Sequence, residues 1–371
     1  MTRKLITAAA GLLCCLSMNA QMEKGWALGP FTRMIEDPVL SPDVSYTFDC
    51  PMAGKPVAWM ESDTFNPAAT VKGGRIHVLF RAEDNSHKGL GSRTSRVGHA
   101  LTKDGITMKI QPEPVLFPAV DDQKEYDWPG GCEDPRVAMT EDGTFVMMYT
   151  SWNRKAPRLC VATSTDLKHW TKHGPAFAKA YNGRFLNMGC KSGSIVQTIK
   201  GGKLVITKVN GRYLMYWGEE MVNTAYSDDL VNWTPTLGPD GNLLKVIVPR
   251  DGHFDSMLTE CGPPAVLTKD GIVLIYNGKN ALGDKADRDY PLGTYAAGQV
   301  LFDAKNPEKV LDRLDKPFFK PEAAFEKSGQ YPQGTVFTEG LVLFKGNWYL
   351  YYGCADSFVG VAKAPFKSKG K

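Results

Sequence analysis

The chain alternates short apolar and aromatic runs with glycine-containing turns, and this alternation repeats along most of its length. Each repeat begins with an apolar strand, a glycine turn and an aromatic-rich strand, and a second hairpin with a strand of small residues follows. Short runs bounded by turn residues predict β-strands. The first hairpin occurs at residues 71–80, 140–149, 199–208, 268–276 and 344–352.

The second hairpin is clearest at residues 161–170 and 224–233, with related segments at residues 99–117, 297–319 and 360–365. Alignment of these segments gives a period of roughly sixty to seventy residues, which is typical of a repeat architecture with inserted loops. A four-stranded unit cannot bury both of its faces alone, so the copies must stack around an axis. The pattern predicts an all-β fold, a five-bladed β-propeller. The alternative is a two-domain β-sandwich.

Closure of the predicted ring depends on the two ends of the chain. The last copy ends near Pro365 without the outer strand that the other copies contain, and residues 37–42 near the N-terminus carry a matching pattern. We therefore expect an N-terminal strand to close the last blade, because a closed ring leaves no exposed sheet edge.

Residues 1–20 have the composition of a secretory signal peptide, with Arg3 and Lys4 before an apolar run and a small residue, Ala20, at the expected cleavage site. The run is too short for a membrane span. We expect an exported protein, periplasmic or extracellular, with a single catalytic domain over residues 21–371. Oligomeric state is left open.

The formal net charge is only +4 and no basic cluster stands out, so nucleic acid is not an expected partner. Six cysteines follow the signal segment, and none forms a CxxC pair or lies near histidines at zinc-ligand spacing. Buried free thiols are therefore expected for most of them, with no metal site and no cofactor.

Polar residues gather just before the predicted inner strands, whose starts should converge on the central channel. They comprise Asn66, residues 133–136, Lys191, Ser192, Glu260 and residues 333–335, with Glu219, Glu220 and Asp356 in nearby turns. Several carboxylates beside aromatic residues suit glycoside cleavage, which needs one acid and one base. A purely structural alternative is that Asp134 caps a turn before Pro135 and pairs with Arg136.

Six motifs together resemble glycoside hydrolase family 130. They are residues 65–68 (FNPA), 80–84 (FRAED), 130–136 (GGCEDPR), 225–230 (AYSDDL), 262–264 (GPP) and 351–356 (YYGCAD). The resemblance runs from about Asn66 to Asp356 and implies a five-bladed propeller that acts on β-mannosides. It also implies an inverting reaction with Asp134 as proton donor, acting through a sugar hydroxyl. By the same match Asn66, Arg81, Asp84 and Asp356 would hold the mannose.

Phosphorylases of this family need cations that bind inorganic phosphate. The chain keeps one as Lys191, but it has Trp217-Gly218 where the family has His-Arg, and Asn277 where the family has His. Carboxylates lie near these positions, at Glu219, Glu220 and Glu260. Negative charge there repels phosphate, but a carboxylate can activate water.

The sequence therefore favours an exported inverting hydrolase that cleaves β-mannosidic, most simply β-1,2, linkages in mannooligosaccharides. Glu260 or one of the paired glutamates would activate water, and Arg136, Lys191, Trp217 and Asn277 would complete the substrate site. Three alternatives stay open: a β-mannoside phosphorylase that uses Lys191 with Arg154 or Arg184, a furanosidase of similar architecture, and a glycan-binding propeller without catalysis.

Overall fold

The computed structural model describes residues 24–89 and 91–367, and this part of the chain is an all-β fold. The predicted signal segment, residues 1–20, lies outside the described residues. The strands from the N-terminus are β1 (Thr32–Arg33), β2 (Thr47–Cys50), β3 (Lys55–Ala58), β4 (Asp63–Lys72), β5 (Arg75–Glu83), β6 (Ser95–Thr102), β7 (Lys109–Ile110), β8 (Gly131–Met139), β9 (Phe145–Trp152), β10 (Pro157–Ser164), β11 (Thr171–Pro175), β12 (Gly193–Ile195), β13 (Gln197–Lys200) and β14 (Lys203–Ile206).

The remaining strands are β15 (Lys208–Val209), β16 (Arg212–Trp217), β17 (Val222–Ser227), β18 (Trp233–Pro235), β19 (Lys245–Ile247), β20 (Leu258–Cys261), β21 (Val266–Thr268), β22 (Gly271–Lys279), β23 (Tyr295–Phe302), β24 (Val310–Arg313), β25 (Val336–Phe344), β26 (Asn347–Cys354) and β27 (Phe358–Pro365). Helical structure in the described chain is limited to single turns: α1 (Lys124–Asp127) and two 3₁₀ turns, Ala180–Gly183 and Ala324–Lys327.

The strands form five antiparallel units of four strands each within the described residues. Units 1 to 5 are β4-β5-β6-β7, β8-β9-β10-β11, β12-β16-β17-β18, β21-β22-β23-β24 and β25-β26-β27-β1. The prediction was wrong in one detail of unit 3. Its second strand is β16, whereas residues 199–208 contribute to the β13-β14 hairpin, whose strand β13 pairs in parallel with β21 of unit 4.

The N-terminal segment completes unit 5, as the sequence predicted, although the paired residues begin earlier. β1 pairs with β27, and an isolated bridge joins Leu40 to Val359. The side chain of Arg33 donates two hydrogen bonds, of 2.7 and 2.8 Å, to Glu326, whose side chain is fully buried. A buried ion pair with this geometry is costly to break. It therefore fastens the start of the described chain to its last unit.

The core consists of five apolar clusters that follow one another around the five units. Leu79 and Val137 share a cluster of units 1 and 2, and further clusters join units 2 to 3, 3 to 4 and 4 to 5. The fifth joins unit 5 back to unit 1, where Val342 packs in the same cluster as Phe80. Successive strand residues point to opposite faces, so Leu79 and Phe80 enter different clusters. Each unit is therefore buried on both faces, which explains its continuous apolar runs.

Three inner strands are interrupted by β-bulges near the middle of the assembly. The register shifts between Phe65 and Pro67 in β4, between Glu133 and Arg136 in β8, and between Thr338 and Gly340 in β25. A bulge places an extra residue in one strand and redirects its side chain. The redirected residues are Asn66, Asp134 with Pro135, and Glu339.

All six cysteines in the described residues are free and buried, as the sequence predicted. In the same part of the chain no group of three or more His, Cys, Asp or Glu side chains is arranged to hold a metal ion. Residues 24–89 and 91–367 also include no helix that is long and apolar enough to cross a membrane.

Candidate active site

A cavity of about 450 Å³ opens where the inner strands meet. Its lining combines aromatic and ionisable side chains, which is the composition of a site for a polar ligand with ring faces. The lining residues are Phe65, Asn66, Arg81, Gly91, Glu133, Asp134, Trp152, Pro157, Lys191, Glu219, Glu260, Lys279, Tyr295, Tyr331, Phe337 and Asp356.

Two bulge residues meet directly in this cavity. Asn66 Nδ2 donates a hydrogen bond of 2.9 Å to Asp134 Oδ1. Both residues have left-handed backbone conformations, with φ of 46° and 50°. A left-handed residue other than glycine costs roughly 1–3 kcal/mol and persists only where its surroundings enforce it. The fold therefore maintains a strained backbone to bring these two side chains together.

Arg81 organises the carboxylates of this side of the cavity. Its guanidinium donates to Asp134 Oδ1 at 3.0 Å, to Glu133 Oε1 at 3.0 Å and to Glu83 Oε1 at 2.6 Å. All four side chains are buried. We call Asn66, Arg81, Glu133 and Asp134 the paired wall, because each of its carboxylates has a cationic partner.

Lys191 adds a second cation to the paired wall. Its Nζ lies 3.6 Å from Glu133 Oε2 and 3.9 Å from Asp134 Oδ2. Burial raises the pKa of Asp134, but Arg81, Lys191 and the hydrogen bond from Asn66 outweigh it and lower the pKa to about 2. Asp134 is thus ionised at neutral pH in the unliganded protein, whereas burial raises the pKa of Glu133.

The opposite side of the cavity has a different balance of charge. Ser192 Oγ donates a hydrogen bond of 2.5 Å to Glu260 Oε1, and Glu219 also lines the cavity. Burial, followed by the negative charge of Glu219, raises the pKa of Glu260 to about 8, although Arg136 and Lys191 oppose the rise. We call Glu219 and Glu260 the acidic wall. Glu260 therefore holds a proton at neutral pH in the unliganded protein.

Asp356 is the carboxylate that unit 5 contributes to the cavity. It lies in the turn between β26 and β27 and lines the cavity with a left-handed backbone, φ 53°, and its carbonyl accepts a hydrogen bond of 2.9 Å from Gln330 Nε2. Burial raises its pKa to about 6, with Asp134 and Glu83 adding to the rise and Arg81 opposing it. Gly353 passes so close to Asn66 that a Cβ would lie 2.3 Å from its Oδ1, so this approach requires glycine.

Two predicted site residues lie away from the cavity lining. The ring of Trp217 packs against Phe177 at 4.7 Å between centroids, and its Nε1 donates to Thr224 O. Asn277 is fully buried and exchanges hydrogen bonds of 2.8 to 3.1 Å with Thr338. Both side chains are engaged by protein atoms, so neither supplies the cavity with a cation or a free donor.

Three further predicted residues also lie outside the lining. Arg136 is buried beneath it and donates to backbone carbonyls, while Asp84 accepts hydrogen bonds from Ser86 and Arg96. Glu220 is exposed, and its carbonyl accepts a hydrogen bond from Thr259 N. Of the twelve residues predicted for the site, the structure places seven in one cavity, namely Asn66, Arg81, Asp134, Lys191, Glu219, Glu260 and Asp356.

Sequence reasoning missed one cation and several aromatic residues of the lining. Lys279 Nζ lies over the rings of Tyr295 and Tyr331, at 5.0 and 5.2 Å from their centroids. Lys279 follows Asn277 by two residues, so β-strand alternation gives both side chains the same face. The period-two pattern of this strand was the sequence signal from which Lys279 could have been predicted. The aromatic residues come from loops and strand ends that only the fold brings together.

Comparison with known proteins agrees with the family resemblance of these motifs. A family model described as beta-1,4-mannooligosaccharide phosphorylase matches residues 32–368. The chain belongs to glycoside hydrolase family 130. A curated relative, the 1,2-beta-oligomannan phosphorylase of Thermoanaerobacter sp. (strain X514), is 31% identical over 82% of this chain and 90% of its own length.

Solved structures of higher identity share the family fold. A putative glycoside hydrolase from Parabacteroides distasonis ATCC 8503 is 60% identical, with a TM-score of 0.92 over 94% of this chain and all of its own. A second structure is 58% identical, with a TM-score of 0.91 over 92% of this chain and 96% of its own. It comes from work on the GH130 family of mannoside phosphorylases. That work describes glycoside hydrolases within the family, and these hydrolases target beta-1,2 mannosidic linkages in Candida mannan.

Proposed function

We propose that the protein is an inverting β-mannosidase that hydrolyses β-1,2 linkages in mannooligosaccharides. The observation that carries this proposal is the acidic wall, where Glu219 and Glu260 line the cavity. The positions that are cationic in phosphorylases of the family hold Trp217 and Asn277, both turned into the protein. Glu260 is buried and Glu219 is exposed, and carboxylates at these positions disfavour phosphate but suit the activation of a neutral water molecule.

The proposed architecture is a five-bladed β-propeller with the active site in its central funnel. Its support is the cyclic order of the apolar clusters, which join each unit to the next and unit 5 to unit 1. The closing contact is made by β1, which adds the fourth strand to unit 5. This is the arrangement in which a repeat protein leaves only short sheet edges.

In the proposed reaction, Asn66, Arg81 and Asp356 hold the mannose whose linkage is cleaved. Asp134 supplies a proton to the leaving oxygen through a sugar hydroxyl, and a glutamate of the acidic wall takes a proton from the attacking water. Water attacks from the face opposite the leaving group, so the product has inverted configuration. The aromatic rings beside Lys279 provide faces against which a sugar ring can pack.

The charge state of the unliganded cavity constrains these roles. Asp134, with a pKa of about 2, is ionised, while Glu260, with a pKa of about 8, holds a proton at neutral pH. Donation by Asp134 therefore requires its pKa to rise when a sugar displaces water from the cavity, as added desolvation does to a carboxylate. Glu219, whose charge contributes to the raised pKa of Glu260, is the alternative base of the pair.

Product analysis tests the proposal directly. The protein is incubated with β-1,2-mannobiose and β-1,4-mannobiose, each with and without inorganic phosphate, and the products are followed by NMR. We expect phosphate-independent release of α-mannose from the β-1,2 substrate. Phosphate-dependent formation of mannose 1-phosphate would contradict hydrolysis. Absence of any product would favour a glycan-binding protein.

Variants of the three glutamates assign the base. We expect Glu260→Gln or Glu219→Gln to lower kcat by roughly 10²–10⁴-fold, the usual contribution of a general base. Glu220→Gln is the matched control, because Glu220 adjoins Glu219 and is likewise exposed, but it is not among the residues that line the cavity. Retention of most activity by both cavity variants would remove the acidic wall from the mechanism.

A β-mannoside phosphorylase is the second candidate, and one observation favours it. Lys279 and Lys191 both line the cavity, and two lysines can attract an anion. Lys191, however, lies within 4 Å of both Glu133 and Asp134, so much of its charge is already neutralised. Arg154 and Arg184, the other cations considered from the sequence, are not among the lining residues. The phosphate arm of the product analysis separates the two candidates.

Export through a cleaved signal peptide is part of the proposal, on the basis of residues 1–20. N-terminal sequencing of the protein secreted by its native host tests it, with a new terminus at Gln21 expected. A mature protein that retains Met1 would contradict export by this route.

A further inference from the structure

Arg136, predicted from the sequence to bind substrate, occupies a different place in the molecule. It is 1% exposed and lies beneath the cavity lining. Its guanidinium donates to three backbone carbonyls: Asp134 O at 3.0 Å, Cys261 O at 2.7 Å and Gly262 O at 3.0 Å. The first of these belongs to β8 of unit 2. The other two follow Glu260, where β20 ends at Cys261 after pairing with β22 of unit 4.

Arg136 therefore links the backbones that carry the two principal carboxylates of the site. One of its nitrogens holds the peptide of Asp134, and two hold the peptides just after Glu260. Guanidinium is planar and rigid, so its three donors fix the relative position of the groups that accept from them. Lysine has a single flexible point charge and cannot reproduce this arrangement.

Glu339 is the counter-ion of Arg136. It is fully buried at the bulge of β25 in unit 5, and its Oε1 lies 3.0 Å from Arg136 Nη2. Neither carboxylate oxygen has a well-aligned hydrogen bond within the described residues. Burial raises the pKa of Glu339 well above its ordinary value, and Arg136 is the largest influence that opposes this rise.

The bulge that carries Glu339 is itself fastened to unit 4. Thr338 N and Oγ1 both donate to Asn277 Oδ1, and Asn277 Nδ2 donates back to Thr338 O. Asn277 is the strand partner of Glu260 in the β20-β22 ladder. Strands from units 2, 4 and 5 thus meet at the Arg136–Glu339 pair, directly below the cavity.

We propose that Arg136 and Glu339 are positioning residues, a buried pair that sets the separation between Asp134 and the water-activating wall at Glu260. The inference rests on the proposed function, because it depends on both carboxylates taking part in cleavage. Separation of the two carboxyl groups decides whether a water molecule fits between sugar and base in an inverting enzyme. Neither residue of the pair touches the substrate in this arrangement.

The test is the steady-state kinetics of Arg136→Lys and Glu339→Gln with β-1,2-mannobiose. We expect Arg136→Lys to lower kcat by about 100-fold with KM changed less than threefold, because misplacement of about 1 Å can cost that factor. We expect Glu339→Gln to lower kcat by about tenfold through a loosened Arg136. A defect confined to kcat distinguishes misaligned chemistry from loss of binding, and dividing Vmax by the concentration of folded protein excludes loss of folded protein as its cause.

The matched controls are Arg313→Lys and Asp255→Asn. Arg313 is a half-buried arginine that bonds a fully buried carboxylate, Asp255, and a backbone carbonyl, but neither residue lines the cavity. We expect these variants to lower the melting temperature while their folded fraction keeps wild-type kcat.

The outcomes separate this inference from the proposed function. Wild-type protein that releases no mannose without phosphate refutes the proposed hydrolysis, whatever the variants do. Wild-type hydrolysis with an unchanged kcat in Arg136→Lys overturns the positioning role, as does an equal loss of kcat in Arg313→Lys. An unchanged kcat in Glu339→Gln alone removes Glu339 from the pair. Where a variant melts below the assay temperature, kinetics are repeated at a lower temperature with the wild type alongside.

Discussion

The paired wall and the acidic wall present carboxylates to the same cavity under opposite electrostatic conditions. In the paired wall, Arg81 and Lys191 surround Asp134 and lower its pKa to about 2. In the acidic wall, Glu260 is buried beside another negative charge, and its pKa rises to about 8. Two carboxylates whose pKa values are driven apart by their surroundings are typical of acid–base sites.

The comparison also bears on how the two walls would bind the proposed neutral sugar. Donors of the paired wall are already committed to carboxylates, so a bound mannose joins an existing network instead of neutralising a free charge. In the acidic wall, a glutamate that is ionised can accept a proton from a water molecule. Each of the following predictions alters one wall and compares the response with the other.

The largest effect is expected from Asp134→Asn in the paired wall. The amide keeps the size of the side chain but cannot transfer a proton, so hydrolysis of β-1,2-mannobiose should fall by roughly 10³–10⁴-fold. Mannose binding, measured by calorimetry, should persist because Arg81 and Asp356 are unchanged. Hydrolysis within tenfold of the wild type would exclude Asp134 as the donor.

Lys191→Met should also have a large effect, through the pKa values of its neighbours. The lysine contributes to the lowered pKa of Asp134 and opposes the raised pKa of Glu133 and Glu260. Its removal should raise all three pKa values and lower kcat/KM by roughly 10–100-fold at neutral pH. Assays with and without phosphate distinguish two roles for Lys191. An equal loss of kcat/KM in both conditions supports a charge that positions the carboxylates. Loss of a phosphate-dependent rate alone indicates a phosphate site.

The repeat pattern was sufficient to predict much of this arrangement. Apolar runs bounded by glycine turns identify five strand units because each unit buries both faces, and the ends of the inner strands identify Asn66, Asp134 and Glu260. The shifted second strand of unit 3 could not be seen, because the β13-β14 hairpin has the same apolar pattern as the hairpins of the other units.

The surroundings of Arg136 and Asn277 could not be predicted from the sequence. Arg136 lies within the Glu-Asp-Pro-Arg motif and Asn277 stands where the family has His, and on that basis both were predicted to bind substrate. Whether such a side chain faces the cavity or the backbone beneath it depends on bulges in β8 and β25, whose register is a tertiary property. Sheet register is set by partners distant in sequence, so local composition does not specify it.

The pH dependence of kcat/KM should show a moderate effect of the acidic wall, in a defined direction. If Glu260 acts as the ionised base, kcat/KM should fall about tenfold per pH unit below its pKa of about 8, since kcat/KM reports the free enzyme. Glu219→Gln removes a charge that raises this pKa, so the fall should begin at lower pH. Complete loss of activity in Glu219→Gln would instead identify Glu219 as the base.

The smallest expected effect is on the free energy of unfolding, whose pH dependence distinguishes the two walls without a substrate. The folded pKa of Glu260, about 8, exceeds the ordinary value of 4.5, so its protonation stabilises the fold below pH 4.5, and this contribution is lost as pH rises through 8. Glu260→Gln, which cannot ionise, should therefore stabilise the protein by roughly 1–4 kcal/mol at pH 9 and change little at pH 4.

Asp134→Asn should show the opposite dependence in the same denaturation experiment. The folded pKa of Asp134 is depressed, so its ionisation stabilises the fold above pH 4 and this contribution disappears only as pH falls through about 2. The variant should thus be less stable than the wild type at pH 7. Equal pH dependence of the two variants would mean that the walls do not differ in charge balance.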